Sequence, residues 1–180
     1  MKPLAPNVEP LSEYTYIIGP GDNIEMFVWG NPEISRTVTV RPDGKLSAPL
    51  VEDLPATGKT AYQLARELEK ELSKYIRNPL VTVIVSGFTG SFSEQIRVLG
   101  QASKTQAIPY KENMTLLDLM ITVGGLGQYA SGNRATIIRK VNGVQQEFRV
   151  RLDDLTKNGD ITANINMLPG DILIIPESYF

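Results

Sequence analysis

The sequence predicts an α+β fold made of two small modules, each a set of short strands around one amphipathic helix. Three observations carry that prediction. β-like runs are punctuated by Pro-Gly-Asp twice, in "YIIGPGDNIEMFVWG" (16–30) and "MLPGDILIIPE" (167–177). Two other segments place apolar residues at helical spacing behind a threonine suited to capping. Between the two sets lies a Gly/Ser-rich connection, "GFTGSFS" (87–93).

Along the chain, residues 1–13 read as an extended tail, because Pro3, Pro6 and Pro10 interrupt any regular element. Tyr16–Ile18 and Asn23–Trp29 read as strands joined by Gly19-Pro20-Gly21-Asp22, where Pro at the second position and Gly at the third suit a type II turn. Thr and Val enrichment predicts a strand over Ser35–Val40, closed by the turn Arg41-Pro42-Asp43-Gly44. Lys45–Leu50 follows, with Leu46, Ala48 and Leu50 on one face. Thr60 with Gln63 forms a capping box for a helix whose stripe is Leu64, Leu68, Leu72 and Tyr75; Asn78-Pro79 stops it. "LVTVIV" (80–85) is the strand that ends the first module.

The second module reads similarly. Gln95–Leu99 and Ala107–Pro109 are short strands, and "MTLLDLMITVGGLG" (114–127) is a helix with Thr115 as cap, Asp118 at the third position and a Gly124-Gly125 stop. Ala135–Val141 and Val144–Val150 flank Asn142-Gly143, a strong hairpin signal. A polar loop through Asn158-Gly159-Asp160 leads to Leu168-Pro169-Gly170-Asp171 and a last strand over Ile172–Ile175. The expected organisation is a tail (1–13), a first domain (14–86), a linker (87–93) and a second domain (94–180).

Composition narrows the chemistry. Eighteen basic and twenty acidic residues leave a net charge of −2, and no basic run exceeds Arg139-Lys140, which argues against a nucleic-acid partner. The chain has no Cys and no His, so thiol nucleophiles, Cys/His zinc sites and Ser-His-Asp triads are excluded. Gly58-Lys59-Thr60 matches the end of a phosphate-binding loop, but Asp53 stands where that loop needs its first glycine, so Thr60 is read as a helix cap. "GLGQYA" (125–130) follows a helix, whereas a dinucleotide fingerprint must follow a strand. Glu52-Asp53 and Asp153-Asp154 read as solvated loop charge, since adjacent strand residues point to opposite faces. "DDLTKNGD" lacks calcium-loop spacing. No catalytic, cofactor or metal residues are therefore expected, and Trp29 reads as core or as a subunit contact, with core the expectation. The loop carrying Tyr129, Asn133 and Arg134 is the candidate contact for a glycan or a partner.

Taken together and in order, these segments look familiar. "YIIGPGDNIEMFVWGNPEISRTVTVRPDGKLSAPLV" with the helix and "NPLVTVIV" resembles the polysaccharide biosynthesis/export domain of outer-membrane polysaccharide export proteins. "VLGQASKTQAIPYKENMTLLDLMITVGGLGQYASGNRATIIRK" through "LPGDILIIPES" resembles the SLBB domain, a β-grasp-like fold. The closing "IPESYF" is similar to the short export proteins of PEP-CTERM/exosortase-type exopolysaccharide systems.

The resemblance implies a mixed-sheet export domain followed by one SLBB domain, in a non-enzymatic periplasmic subunit associated with the outer membrane. It implies polysaccharide as cargo, a homo-oligomeric ring that guides the polymer sterically, and an inner-membrane co-polymerase as partner. Relatives are often lipid-anchored through a leader cysteine, so an anchor ahead of Met1 is expected. One SLBB unit without an amphipathic helix after it implies a separate outer-membrane β-barrel. Glu52-Asp53 and Thr105-Gln106 stand where relatives often carry Gly and Pro-Gly. The alternative is a soluble glycan-binding module that captures polysaccharide without forming a conduit.

Overall fold

A computed structural model describes residues 2–3 and 13–179; most of the expected 1–13 tail, and Phe180, lie outside the described residues. The chain is α+β, with one mixed sheet and two antiparallel ones, and divides into two compact units; the mixed sheet lies in the second unit, and the sheets of the first are antiparallel. One is Thr15–Ser91, and the other runs from Phe92 onward together with the described residues before Thr15.

The Thr15–Ser91 unit is built on strand alternation. β1 (Lys2–Pro3) belongs to the other unit, so this one begins with β2 (Asn23–Val28), which buries Ile24, Met26 and Val28 and exposes Glu25 and Phe27. β2 is the centre of an antiparallel sheet, between β3 (Arg36–Thr39) and β6 (Val81–Ser86). β4 (Lys45–Ala48) and β5 (Val51–Pro55) pair as a separate ribbon. Helix α1 (Ala61–Leu72) opens on a complete capping box: Thr60 Oγ1 accepts the Gln63 amide at 3.2 Å, and Gln63 Oε1 accepts the Thr60 amide at 3.0 Å. Its Leu64, Leu68 and Leu72 are fully buried with Ile18, Ile24 and Met26, each leucine contributing about 1.5–3 kcal/mol of transfer free energy.

Four expectations for this unit need correction. Tyr16–Ile18 is not a strand: Ile18 makes one reciprocal pair, donating to Lys59 O at 2.9 Å and accepting from Gly58 N at 3.0 Å, too little for a ladder. Glu52-Asp53 is not loop but part of β5, hidden from period-two reading by a register shift between Leu46 and Ala48 and by Asp53 at φ +51°. Leu50 leaves the inner face because the chain turns there, at φ +66°, and exposes it. Tyr75 is 66% exposed, since the chain tightens after Leu72 and Ile76 takes the inward place.

The other unit centres on a six-stranded sheet ordered β1-β10-β9-β11-β7-β8. Its strands are β7 (Gln95–Gly100), β8 (Gln106–Pro109), β9 (Thr136–Val141), β10 (Val144–Arg149) and β11 (Ile172–Ile175). β11 runs parallel to β7 and antiparallel to β9, so a late strand lies between earlier ones. Asn142 and Gly143 both take positive φ, +50° and +82°, as a two-residue type I′ hairpin requires. Helix α2 (Leu116–Thr122) is capped by Thr115 and Asp118 and buries Leu116, Leu119 and Met120 against Ile96, Val98, Ile137 and Leu173. The stretch expected as a polar loop contains α3 (Leu152–Thr156), which buries Leu152 and Leu155; five residues are too few to show a period.

In both Pro-Gly-Asp turns the glycine is left-handed, Gly21 at φ +89° and Gly170 at φ +86°. A Cβ on Gly170 would lie 3.0 Å from Ser93 O, whereas one on Gly21 would meet only the Thr89 side chain at 3.4 Å. Replacing either glycine by alanine is expected to cost at least about 1 kcal/mol, with Gly170→Ala the more damaging. Urea midpoints followed by amide exchange, which resolves the two units, check this; unchanged midpoints in both variants would refute the strain.

Candidate functional site

Among the described residues, Asp22 and Asp171 are the buried acids, and both stand at the end of a Pro-Gly-Asp turn. Asp22 Oδ2 accepts the Gly19 amide at 2.9 Å and the Tyr16 hydroxyl at 2.6 Å, while Oδ1 accepts the Gly90 amide at 2.8 Å. Asp171 Oδ2 accepts the Leu168 amide at 2.8 Å. Arg139 then grips Asp171 with both prongs of its guanidinium, Nε to Oδ1 at 2.9 Å and Nη2 to Oδ2 at 2.6 Å, and Nη2 also donates to Asn166 O at 2.9 Å. The two turns therefore share one device: a carboxylate that reaches back to the amide three residues earlier. Gly19-Pro20-Gly21-Asp22 and Pro169-Gly170-Asp171 are structural, and their carboxylate oxygens are spent on the fold. The third turn is closed by Gly44 N donating to Arg41 O at 2.9 Å, with Pro42 at its second position. Asp43 there accepts from Arg41 at 2.8 Å, which holds its carboxyl below the usual range.

The loop expected to meet a glycan or a partner is only partly available. Tyr129 is half exposed, and its carbonyl accepts Ser178 N at 2.7 Å. Arg134 is exposed, its guanidinium 5.9 Å from the centre of the Tyr179 ring. Asn133 is committed inside the unit: its amide donates to Asp153 Oδ2 at 2.9 Å, its Nδ2 to Asp154 Oδ1 at 2.9 Å, and its Oδ1 accepts Asp154 N at 3.2 Å. Asp153-Asp154 is thus a clamp at the start of α3 and not solvated loop charge. The Asn133 bond, followed by Arg151 at 2.9 Å, holds the Asp154 carboxyl below the ordinary carboxylate range. The Gly58-Lys59-Thr60 segment is equally engaged, with the Lys59 ammonium on Glu67 and on Pro55 O, and Thr60 capping α1.

Trp29 does not lie in the core; it is 57% exposed. Strict alternation on β2 explains this, since Val28 points inward and its neighbours Phe27 and Trp29 outward. The two rings meet edge to face, centroids 5.0 Å apart, and Trp29 Nε1 donates to Thr82 Oγ1 at 3.1 Å. Register places Glu25 between Thr37 and Ile84, and Thr82 beside Phe27, on the same outward face. An aromatic pair at the end of a threonine-rich open sheet suits contact with a sugar ring or a protein surface. The period of two along β2 already places Trp29 on the outward face.

Among the described residues, no helix is long and apolar enough to cross a membrane, and no cluster of three or more acidic side chains could hold a metal ion. Asp171→Ala is expected to cost about 3–5 kcal/mol, because it leaves Arg139 buried without its counter-charge. The double variant Asp171→Leu with Arg139→Met should recover much of that loss, and a thermodynamic cycle measures it. Asp154, with its folded pKa depressed, contributes stability that is present above the unfolded value of 3.8 and is lost as pH falls through the lower folded value. Thermal midpoints against pH should fall on the acid side, and Asp154→Asn should flatten that fall.

Comparison with known proteins bears on both units. A model described as polysaccharide biosynthesis/export protein matches residues 10–86, and an SLBB domain model matches residues 94–175. The chain is 31% identical over 104 residues to the exopolysaccharide production protein ExoF of Rhizobium meliloti, covering 56% of this chain and 24% of that protein. It is 23% identical over 188 residues to the EPS I polysaccharide export outer membrane protein EpsA of Ralstonia nicotianae, covering 90% and 47%. It is 28% identical over 120 residues to the Vi polysaccharide export protein VexA/TviF of Salmonella typhi, covering 66% and 32%. The chain thus spans less than half the length of these relatives. With the two family matches lying end to end, the chain belongs to the polysaccharide export protein family, an export domain followed by an SLBB domain.

Proposed function

We propose that this chain is a non-enzymatic subunit of an exopolysaccharide export complex, periplasmic and associated with the outer membrane. The observation that carries the proposal is the ordered pair of family matches, residues 10–86 and 94–175, shared with relatives named for polysaccharide export. Asp22 and Asp171 are engaged by backbone and side-chain donors, and Asp43, Asp154 and Asp160 have depressed pKa values, which argues against any of these three serving as a general acid.

The mechanism proposed is assembly into a homo-oligomeric ring and steric guidance of a hydrated polymer. A lipid anchor ahead of Met1 would hold the ring at the outer membrane, an inner-membrane co-polymerase would deliver polymer, and a separate β-barrel would complete the exit. The exposed Phe27–Trp29 pair supplies one surface for such contacts. The same pair is also the observation that favours the alternative, a glycan-binding module that captures polymer without forming a conduit.

Native mass spectrometry of the lipidated protein in a membrane mimic separates the two. The export reading expects a closed oligomer, and a strict monomer under those conditions overturns the ring. Trp29→Ala should change stability by no more than about 0.5 kcal/mol, as an exposed substitution does. The same variant should reduce the oligomer fraction; an unchanged fraction removes the aromatic pair from the interface.

A further inference from the structure

The six-stranded sheet has a second face that the core does not use. On β7, Ile96 and Val98 point into the core while Arg97 and Leu99 point away. On β11, Leu173 and Ile175 are buried while Ile172 and Ile174 are partly open, and on β9 Ile138 and Lys140 share that outer side. Register aligns one row across five strands: Ala107, Arg97, Ile172, Ile138 and Glu147. Two hollows lie along this face. One, of about 290 Å³, is lined by Arg97, Lys140, Gln145 and Ile172, with Phe92 also on its wall. The other, of about 380 Å³, is lined by Arg97, Leu99, Thr105, Gln106 and Ile172. Arg97 and Ile172 belong to both, so the hollows form one groove with a cation at its waist.

The charges in this groove are unbalanced. No Asp or Glu lines either hollow. Glu147, the carboxylate of the aligned row, stands on β10, beyond Ile138. Arg97 has its Nε–H buried with no hydrogen-bond acceptor among the described residues. Strand spacing sets the backbones of Arg97 and Lys140 roughly 10–12 Å apart, two strands over and two residues along. That separation suits negative charges recurring along a polymer better than a single small anion. Between the cations the floor is isoleucine, and Phe92, 74% exposed, offers an aromatic edge to the C–H faces of sugar rings.

We infer that this groove binds a segment of acidic polysaccharide, with Arg97 and Lys140 each facing a sugar carboxylate and Ile172 and Phe92 supporting the rings. The inference deepens the export reading and rests on it for the polymer class. A guanidinium fork matches a carboxylate in two parallel bonds, which gives Arg97 the larger share of recognition. Because the groove is open to solvent, its attraction is screened by salt and suits a chain that must keep moving.

Titration calorimetry of the whole chain with oligogalacturonates tests this, with neutral malto-oligosaccharides and inorganic phosphate as comparison arms. Saturable binding to the uronates that weakens with salt is expected. Arg97→Gln and Lys140→Gln should each reduce affinity roughly tenfold or more. Arg97→Lys, keeping the charge without the fork, should fall between, and Lys70→Gln on α1 should change nothing. Circular dichroism checks that every variant is folded. Equal binding of the neutral sugars, full competition by phosphate alone, or undiminished binding in Arg97→Gln would each overturn the groove. An oligomer that forms normally without binding uronates also overturns it while leaving the export reading intact.

Discussion

The structure depends on a carboxylate that folds back on its own turn. A Pro-Gly step reverses the chain sharply, but a reversal alone leaves an amide at its start facing inward without a partner. Burying that amide unsatisfied would cost on the order of 1–3 kcal/mol. Asp22 and Asp171 remove the cost by accepting it, at 2.9 and 2.8 Å. Each then extends to a distant part of its unit, Asp22 to the Gly90 amide and Asp171 to Arg139. A short local motif thus pins segments 68 and 32 residues away in sequence.

The two solutions differ in how the buried charge is compensated. Asp22 relies on two backbone amides and a phenol, all neutral donors. Asp171 faces a full cation, and Arg139 in turn ties β9 to the carbonyl of Asn166. A buried pair of this kind adds little net stability over apolar packing but penalises any register in which the partners miss each other. At β9 and β11 this matters, because a slip of one residue would turn Ile137 and Leu173 outward.

Much of this was legible in the chain. Thr60 with Gln63 and Thr115 with Asp118 announced both long helices, and Asn142-Gly143 announced its hairpin, since each motif acts through neighbours a few residues away. What stayed hidden depends on non-local facts. Strand β5 escapes a period-two reading because Asp53 is left-handed at the irregularity between Leu46 and Ala48, where two residues of β5 stand against one of β4. Trp29 is exposed because strand parity, and not residue type, decides which way it points. The Asp153-Asp154 pair looked idle because its partner, Asn133, lies twenty residues upstream. The groove flanking Arg97 could not be read at all, since it forms only when β7, β11 and β9 lie side by side.

The position of β11 has a consequence for the order in which the molecule is made. The unit Thr15–Ser91 has all its strands and its helix within one continuous stretch, so it can close as soon as that stretch is available. The other sheet cannot: β7 and β9 are separated by a strand that is synthesised after both. Until residues 172–175 arrive, Ile96, Val98 and Ile137 have an open seam between them, and Arg139 has no counter-ion. Folding of this unit is therefore deferred until its late strand has been delivered. That unit alone keeps an open sheet until almost the last residues of the chain are made, well after the first unit has its full set of strands.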